Sequence, residues 1–160
     1  MMNGDDSLSV DCTLHALRGA NAMQVYESLA RQATVATGVR ESFIHSRLME
    51  QERRSTSGIG QGVAIPHLRL KKLTQPYTLL ARLARPVDFN AVDGQPVDLV
   101  CLLLSPDTDI ARHLQRLSRI SRLLRDPALC GGLRTVASAD GMAALLMETQ
   151  SVRLATRQAA

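Results

Sequence analysis

The run Leu99-Val100-Cys101-Leu102-Leu103-Leu104 is six consecutive apolar residues with no position suited to face water. A strand with one wet face alternates apolar and polar residues, and a surface helix turns a polar side outward once per turn. This run does neither. It is short, and Ser105-Pro106-Asp107 closes it with turn chemistry. It therefore reads as a central strand covered on both faces, which requires helices above and below one sheet.

The flanking sequence supplies those helices. Ala22, Val25, Tyr26, Leu29, Ala33 and Ala36 recur at helical spacing, and Gly38 follows as a stop. A second helix is expected over about residues 40–53, with Phe43, Ile44 and Leu48 inward. The segment from Ser55 to Gly62, with Gly at positions 58, 60 and 62, breaks it. Val63-Ala64-Ile65 reads as a short strand running into Pro66, whose missing amide suits a strand end or edge. Tyr77 to Leu83 is a further strand, and Asp93-Gly94 marks a turn. Helices are then expected over about 108–125 and 127–136, and a last one capped by Ser138 with Met142, Leu145 and Leu146 inward. Residues 1–19 read as an N-terminal tail or first strand region, the first few of them loose, and 151–160 as a fraying C-terminal tail. With 160 residues the chain has the size of one domain. The expectation is a single-domain α/β fold, a mixed β-sheet flanked by helices on both sides.

Composition removes several function classes. Aromatic residues are 2% with no Trp, which argues against base-stacking nucleic-acid platforms. No apolar run approaches the ~20 residues of a membrane span. Asp5, Asp6 and Asp11 precede the first basic residue, Arg18, the reverse of a secretory signal, so a cytoplasmic location is expected. Cys12, Cys101 and Cys130 are far apart and form no C-x-x-C, which suggests neither zinc nor a disulfide frame. The glycines form G-x-G-x-G, neither a dinucleotide fingerprint nor a P-loop. No cofactor and no metal is expected. The net charge of +4 permits an anionic partner without naming one.

Two histidines remain. His67 follows a strand end and a segment rich in Gly and hydroxyl groups, where backbone amides can approach a ligand. A neutral imidazole there can attack an electrophile; an ordinary loop histidine is the alternative. On the expected helix beyond Asp107, His113 falls on the side of Leu114, Leu117, Ile120 and Leu124, opposite Arg112, Arg116, Arg119 and Arg122. It is either a second imidazole facing His67 or a core histidine with one hydrogen bond. The arginine face reads as a solvated surface in preference to a nucleic-acid contact.

The segment S-T-S-G-I-G-Q-G-V-A-I-P-H-L-R-L, from Ser55 to Leu70, resembles the active-site signature of phosphotransferase-system enzyme IIA domains of the fructose/mannitol superfamily. Pro86 to Val100 and Ala111 to Asp126 are similar to that family's turn with central strand and its second-histidine helix. The resemblance covers about residues 20–150, which it makes the phosphocarrier domain. The free-standing chain looks most like the nitrogen-regulatory branch. The resemblance implies that His67 accepts a phosphoryl group from a phosphorylated HPr-type carrier protein and that His113 assists. Thr56, Gly58, Arg53 and Gln51 are then expected around the phosphoryl group, and protonated His113 supplies charge. The onward partner is a regulatory target protein or a sugar permease component, with no nucleic acid and no membrane insertion. Competing functions are a degenerate binding module with little phosphorylation and an enzyme IIA of sugar uptake. Three departures from the family pattern stand out: Gln51 for an Arg, Leu68 for a Gly, expected to crowd the donor's approach or force a different backbone, and Ser55-Thr56-Ser57 for G-S-T.

Overall fold

The computed structural model describes residues 8–159. In chain order it contains β1 (Cys12–Leu17), α1 (Ala22–Thr37), α2 (Glu41–Arg54), β2 (Gly58–Gly60), β3 (Val63–Ala64), β4 (His67–Leu70), β5 (Tyr77–Val87), β6 (Val97–Pro106), α3 (Ile110–Leu123), α4 (Pro127–Thr135) and α5 (Ala139–Ala159). The strands make one mixed sheet in the order β1-β5-β6-β3-β2, with β4 also paired to β6. The central apolar strand and the helices on both sides are as the sequence implies.

Strand β6 alternates its side chains between two cores. Val100, Leu102 and Leu104 join Tyr26, Leu29, Ile44 and Leu48 from α1 and α2. Leu99, Cys101 and Leu103 join Ile120, Leu123, Leu133 and Met142 from α3, α4 and α5. That double burial explains the unbroken apolar run. Burial pushes the Cys101 thiol up to about 12, so it stays an inert packing group.

Three expectations need correction. Phe43 is 42% exposed, because the α2 core stripe runs through Ile44 and Leu48 and leaves Phe43 under the Arg47 guanidinium, 5.7 Å from its ring centroid. Leu114 is likewise 57% exposed. Of the two readings of residues 1–19, a strand holds over residues 12–17, parallel to β5 with a register shift between Leu14 and Leu17. The C-terminal segment does not fray after Gln150: α5 continues to Ala159, tied down by Arg153 to Asp126 at 3.0 Å. The first few residues, expected to be loose, lie outside the described residues. Ser138 does cap α5, accepting from the Gly141 amide at 3.0 Å.

Candidate functional site

Strands β3 and β4 follow one line along β6, interrupted at Ile65-Pro66, and both run parallel to it. Pro66 contributes no amide to the ladder, but its carbonyl accepts from the Leu103 amide at 3.0 Å, so the chain re-enters the sheet at His67. His67 therefore opens a strand instead of lying in a loop. The register pairs His67 with Leu103 and Arg69 with Ser105, which places all four on the α3 side of the sheet.

Helix α3 brings in the second histidine. Asp109 caps its N-terminus, accepting from the Arg112 amide at 3.1 Å. One turn in, His113 points at the sheet, and the His67 and His113 ring centroids lie 5.4 Å apart at 45°. Both line an open cleft of about 990 Å³, together with Gln51, Arg54, Arg69, Lys72 and Asp107. The two histidines singled out in the sequence thus meet in one place.

Hydrogen bonding assigns the nitrogens of His67. Its Nδ1 lies 3.0 Å from the Ile65 carbonyl, which can only accept, so Nδ1 carries the proton. In the neutral ring the lone pair is then on Nε2, which faces the Gln51 side-chain amide at 3.3 Å. A carbonyl-anchored ring with its free nitrogen aimed into a cleft is an oriented nucleophile.

His113 has the opposite surroundings. It is 4% exposed, and its Nδ1 contacts Ser105 Oγ at 2.8 Å. Burial above all, then the neighbouring His67, Arg69 and Arg116, lowers its pKa from 6.5 to about 4. His113 is therefore neutral in the unphosphorylated protein. The unfolded chain binds a proton at this residue below pH 6.5, while the fold does not until about pH 4. Stability must fall as pH drops through that window, by roughly 3 kcal/mol in total. Urea unfolding at pH 7 and pH 4.5 should show His113→Gln losing less stability than the native protein. Equal losses would show that His113 does not carry this dependence.

The glycine segment serves a hairpin. Gln61 and Gly62 have φ of 57° and 79°, the turn between β2 and the antiparallel β3. A Cβ at Gly62 would lie 2.7 Å from Arg134 Nη2, so the glycine also admits the Arg134–Asp98 ion pair. The Gly58 amide donates to Thr56 Oγ1 at 3.0 Å and the Gln61 amide to Asp93 Oδ2 at 2.8 Å. Thr56 Oγ1 in turn donates to the Phe89 carbonyl. Among the expected phosphate-binding residues, only Gln51 borders the cleft. Thr56 borders a small cavity behind His67, Gly58 is buried, and Arg53 is exposed outside the cleft lining. Leu68 is 4% exposed and packs in the α1/α2 core, while the residue also borders the cleft. Its backbone is ordinary strand paired with Leu104 and needs no glycine.

Four residues escaped the sequence reading. Arg69 lies two positions beyond His67, hence on the same strand face, and pairs with Asp107 at 3.4 Å. Ser105 continues the Leu99, Cys101, Leu103 alternation by one step. Arg116, assigned to the solvent face, is half-buried and reaches Ser105 Oγ at 3.4 Å. Glu52 accepts from Tyr26 Oη and the Ser57 amide, which fixes the start of the glycine segment. Period-two counting from His67 and Leu103 finds the first two; no local signal marks Arg116 or Glu52. Among the described residues no cluster of His, Cys, Asp and Glu could hold a metal ion, and no helix is long and apolar enough to cross a membrane.

Residues 7–149 match the family model described as phosphoenolpyruvate-dependent sugar phosphotransferase system, EIIA 2. A nitrogen regulatory protein of Bradyrhizobium diazoefficiens is 42% identical over 141 residues, covering 88% of this chain and 92% of that one. The crystal structure of nitrogen regulatory protein IIA-Ntr from Neisseria meningitidis superposes with a TM-score of 0.78 at 30% identity, over 84% of this chain and 92% of that one. The mannitol IIA of Escherichia coli has a TM-score of 0.70 at 15% identity, over 84% of this chain and 94% of that one, a likeness of fold alone. With the family model spanning nearly the whole described chain, the protein belongs to the EIIA 2 family of the phosphoenolpyruvate-dependent sugar phosphotransferase system, as a phosphocarrier-type component.

Proposed function

We propose that His67 Nε2 accepts a phosphoryl group from a phosphorylated HPr-type carrier protein, and that the protein acts mainly in regulation, through partner binding that depends on its phosphorylation state. The observation that carries this is the proton on Nδ1, held by the Ile65 carbonyl, which leaves Nε2 as the lone-pair nitrogen inside the cleft. In the transfer, Nε2 attacks phosphorus in line, and the N–P bond of the donor breaks with its electron pair staying on the donor nitrogen. When each ring keeps a proton on the nitrogen remote from phosphorus, no net proton moves. Most of the catalysis is positioning and charge stabilisation. Arg69 is the guanidinium nearest in register, and His113 lies within reach of the arriving oxygens. The exposed Phe43, Ile110 and Leu114 at the mouth of the cleft offer apolar contact to the donor.

The regulatory output is supported by the nitrogen regulatory relatives at high coverage. A cytoplasmic location goes with a donor of the HPr type. The second reading, a binding module with weak phosphorylation, is favoured by Gln51 alone, since a neutral amide replaces the family's guanidinium. A charge-assisted hydrogen bond is worth roughly 1.5–3 kcal/mol against roughly 1 for a neutral one. Gln51→Arg should therefore speed transfer about tenfold. Rapid-quench phosphorylation of the two proteins checks this; an unchanged rate would mean that Arg69 already supplies the charge. The function itself is tested by incubation with phosphorylated HPr-type carriers and intact mass. Gain of one phosphoryl mass supports the carrier. No gain with any such donor leaves the binding module.

A further inference from the structure

The contact behind His113 has a direction built into it. Arg116 Nη1 lies 3.4 Å from Ser105 Oγ, and a guanidinium has donors only. The hydroxyl oxygen therefore accepts from Arg116, even through a long contact, because the positive charge turns the oxygen toward it. Ser105 has one hydroxyl proton, is fully buried, and lies 2.8 Å from His113 Nδ1. If Nδ1 carried the proton, both neighbours would donate to the same oxygen. The buried hydroxyl proton would then be left without a partner among the contacts of the described residues, an arrangement that folded proteins avoid. The satisfied arrangement runs one way, from Arg116 to Ser105 to His113 Nδ1.

We propose that Arg116 and Ser105 are positioning residues that lock His113 in the tautomer with its proton on Nε2, so that a neutral imidazole presents an N–H donor to the phosphoryl group on His67. The proposal rests on His67 as the acceptor. It accounts for three features at once. Arg116 leaves its row on the helix surface to approach a buried serine. Ser105 interrupts an otherwise apolar strand face. His113 is held neutral, yet faces a site that must receive an anion. A neutral donor needs no proton uptake before the phosphoryl group arrives, and it adds no further positive charge beside His67 while the nucleophile is at rest.

The test separates this lock from the acceptor reading. Long-range ¹H–¹⁵N spectra of the unphosphorylated, histidine-labelled protein at neutral pH should show His113 with pyrrole-type Nε2 and pyridine-type Nδ1. Ser105→Ala should shift that ring toward the Nδ1–H form, and Ser105→Thr should restore it. Arg116→Lys, again donor-only, should keep the Nε2–H form. Arg116→Gln, which can accept from Ser105, should mix the two. With a phosphorylated HPr-type donor, Ser105→Ala should slow single-turnover transfer about tenfold. A native His113 protonated on Nδ1 overturns the proposal, whatever the variants do. An unchanged tautomer and rate in Ser105→Ala overturns it as well. The expected tautomers, with no phosphorylation of any form of the protein, would uphold the lock and defeat the acceptor reading.

Discussion

His67→Ala is expected to take up no phosphoryl group from any HPr-type donor while keeping its fold. His67 is half-buried at the start of β4, and its side chain makes one backbone contact, to the Ile65 carbonyl. Its removal opens no core cavity. No other histidine can take its place. His113 turns its Nδ1 to a buried serine and is 4% exposed. His15 and His45 lie outside the cleft, and His45 is engaged by the Met23 carbonyl at 3.1 Å. Intact mass after incubation with the phosphorylated donor decides the matter, with circular dichroism to confirm the fold. A phosphoryl group retained in His67→Ala would move the acceptor elsewhere.

His113→Ala should slow transfer by roughly 10²- to 10⁴-fold, the range for a positioned proton donor or acid–base partner. The ring lies 5.4 Å from His67 between centroids and is shielded from water, so its hydrogen bond to a developing phosphoryl charge is not diluted by solvent. The neutral form at rest has a further consequence. A phosphoryl dianion on His67 favours the charged form of His113, so phosphorylation should raise the His113 pKa above its resting value of about 4. His113 then responds to the state of the site as well as helping to reach it. Rapid-quench kinetics of His113→Ala and His113→Gln, with unfolding curves alongside, read the effect. Native single-turnover rates in both variants would reduce His113 to a packing residue.

The fold was largely legible because its organising strand carries an unambiguous pattern. Leu99 to Leu104 face two cores in alternation, and a strand with two dry faces has no other sequence solution. Helices α1 and α4 were legible for similar reasons: a regular apolar stripe ended by Gly38, and Pro127 at the first turn behind the Asp126 cap. Strand β1 stayed one of two readings because its register shift breaks the alternation. The last turns of α5 were hidden because their anchor, Arg153 to Asp126, joins positions far apart in sequence.

The site divides along the same line. His67 and His113 announce themselves by strand-end position and helix face. The glycine amides expected around phosphate meet a second demand in the hairpin, where the Gly58 and Gln61 amides donate to Thr56 and Asp93. Leu68, a departure from the family pattern, follows the strand's alternation into the core while bordering the cleft. Arg116 could not be placed from a helical wheel. A long side chain can cover a neighbouring face, and only the position of Ser105 shows where it goes.

The central claim is that the protein carries a phosphoryl group on one nitrogen of one histidine. Long-range ¹H–¹⁵N correlation spectra of the histidine-labelled protein, recorded before and after incubation with a phosphorylated HPr-type carrier, test it most directly. The account predicts that only His67 changes covalently, that its Nε2 becomes the phosphorus-bearing nitrogen, and that Nδ1 keeps its proton on the Ile65 carbonyl. Phosphorus on Nδ1, on another histidine, or on none would contradict it.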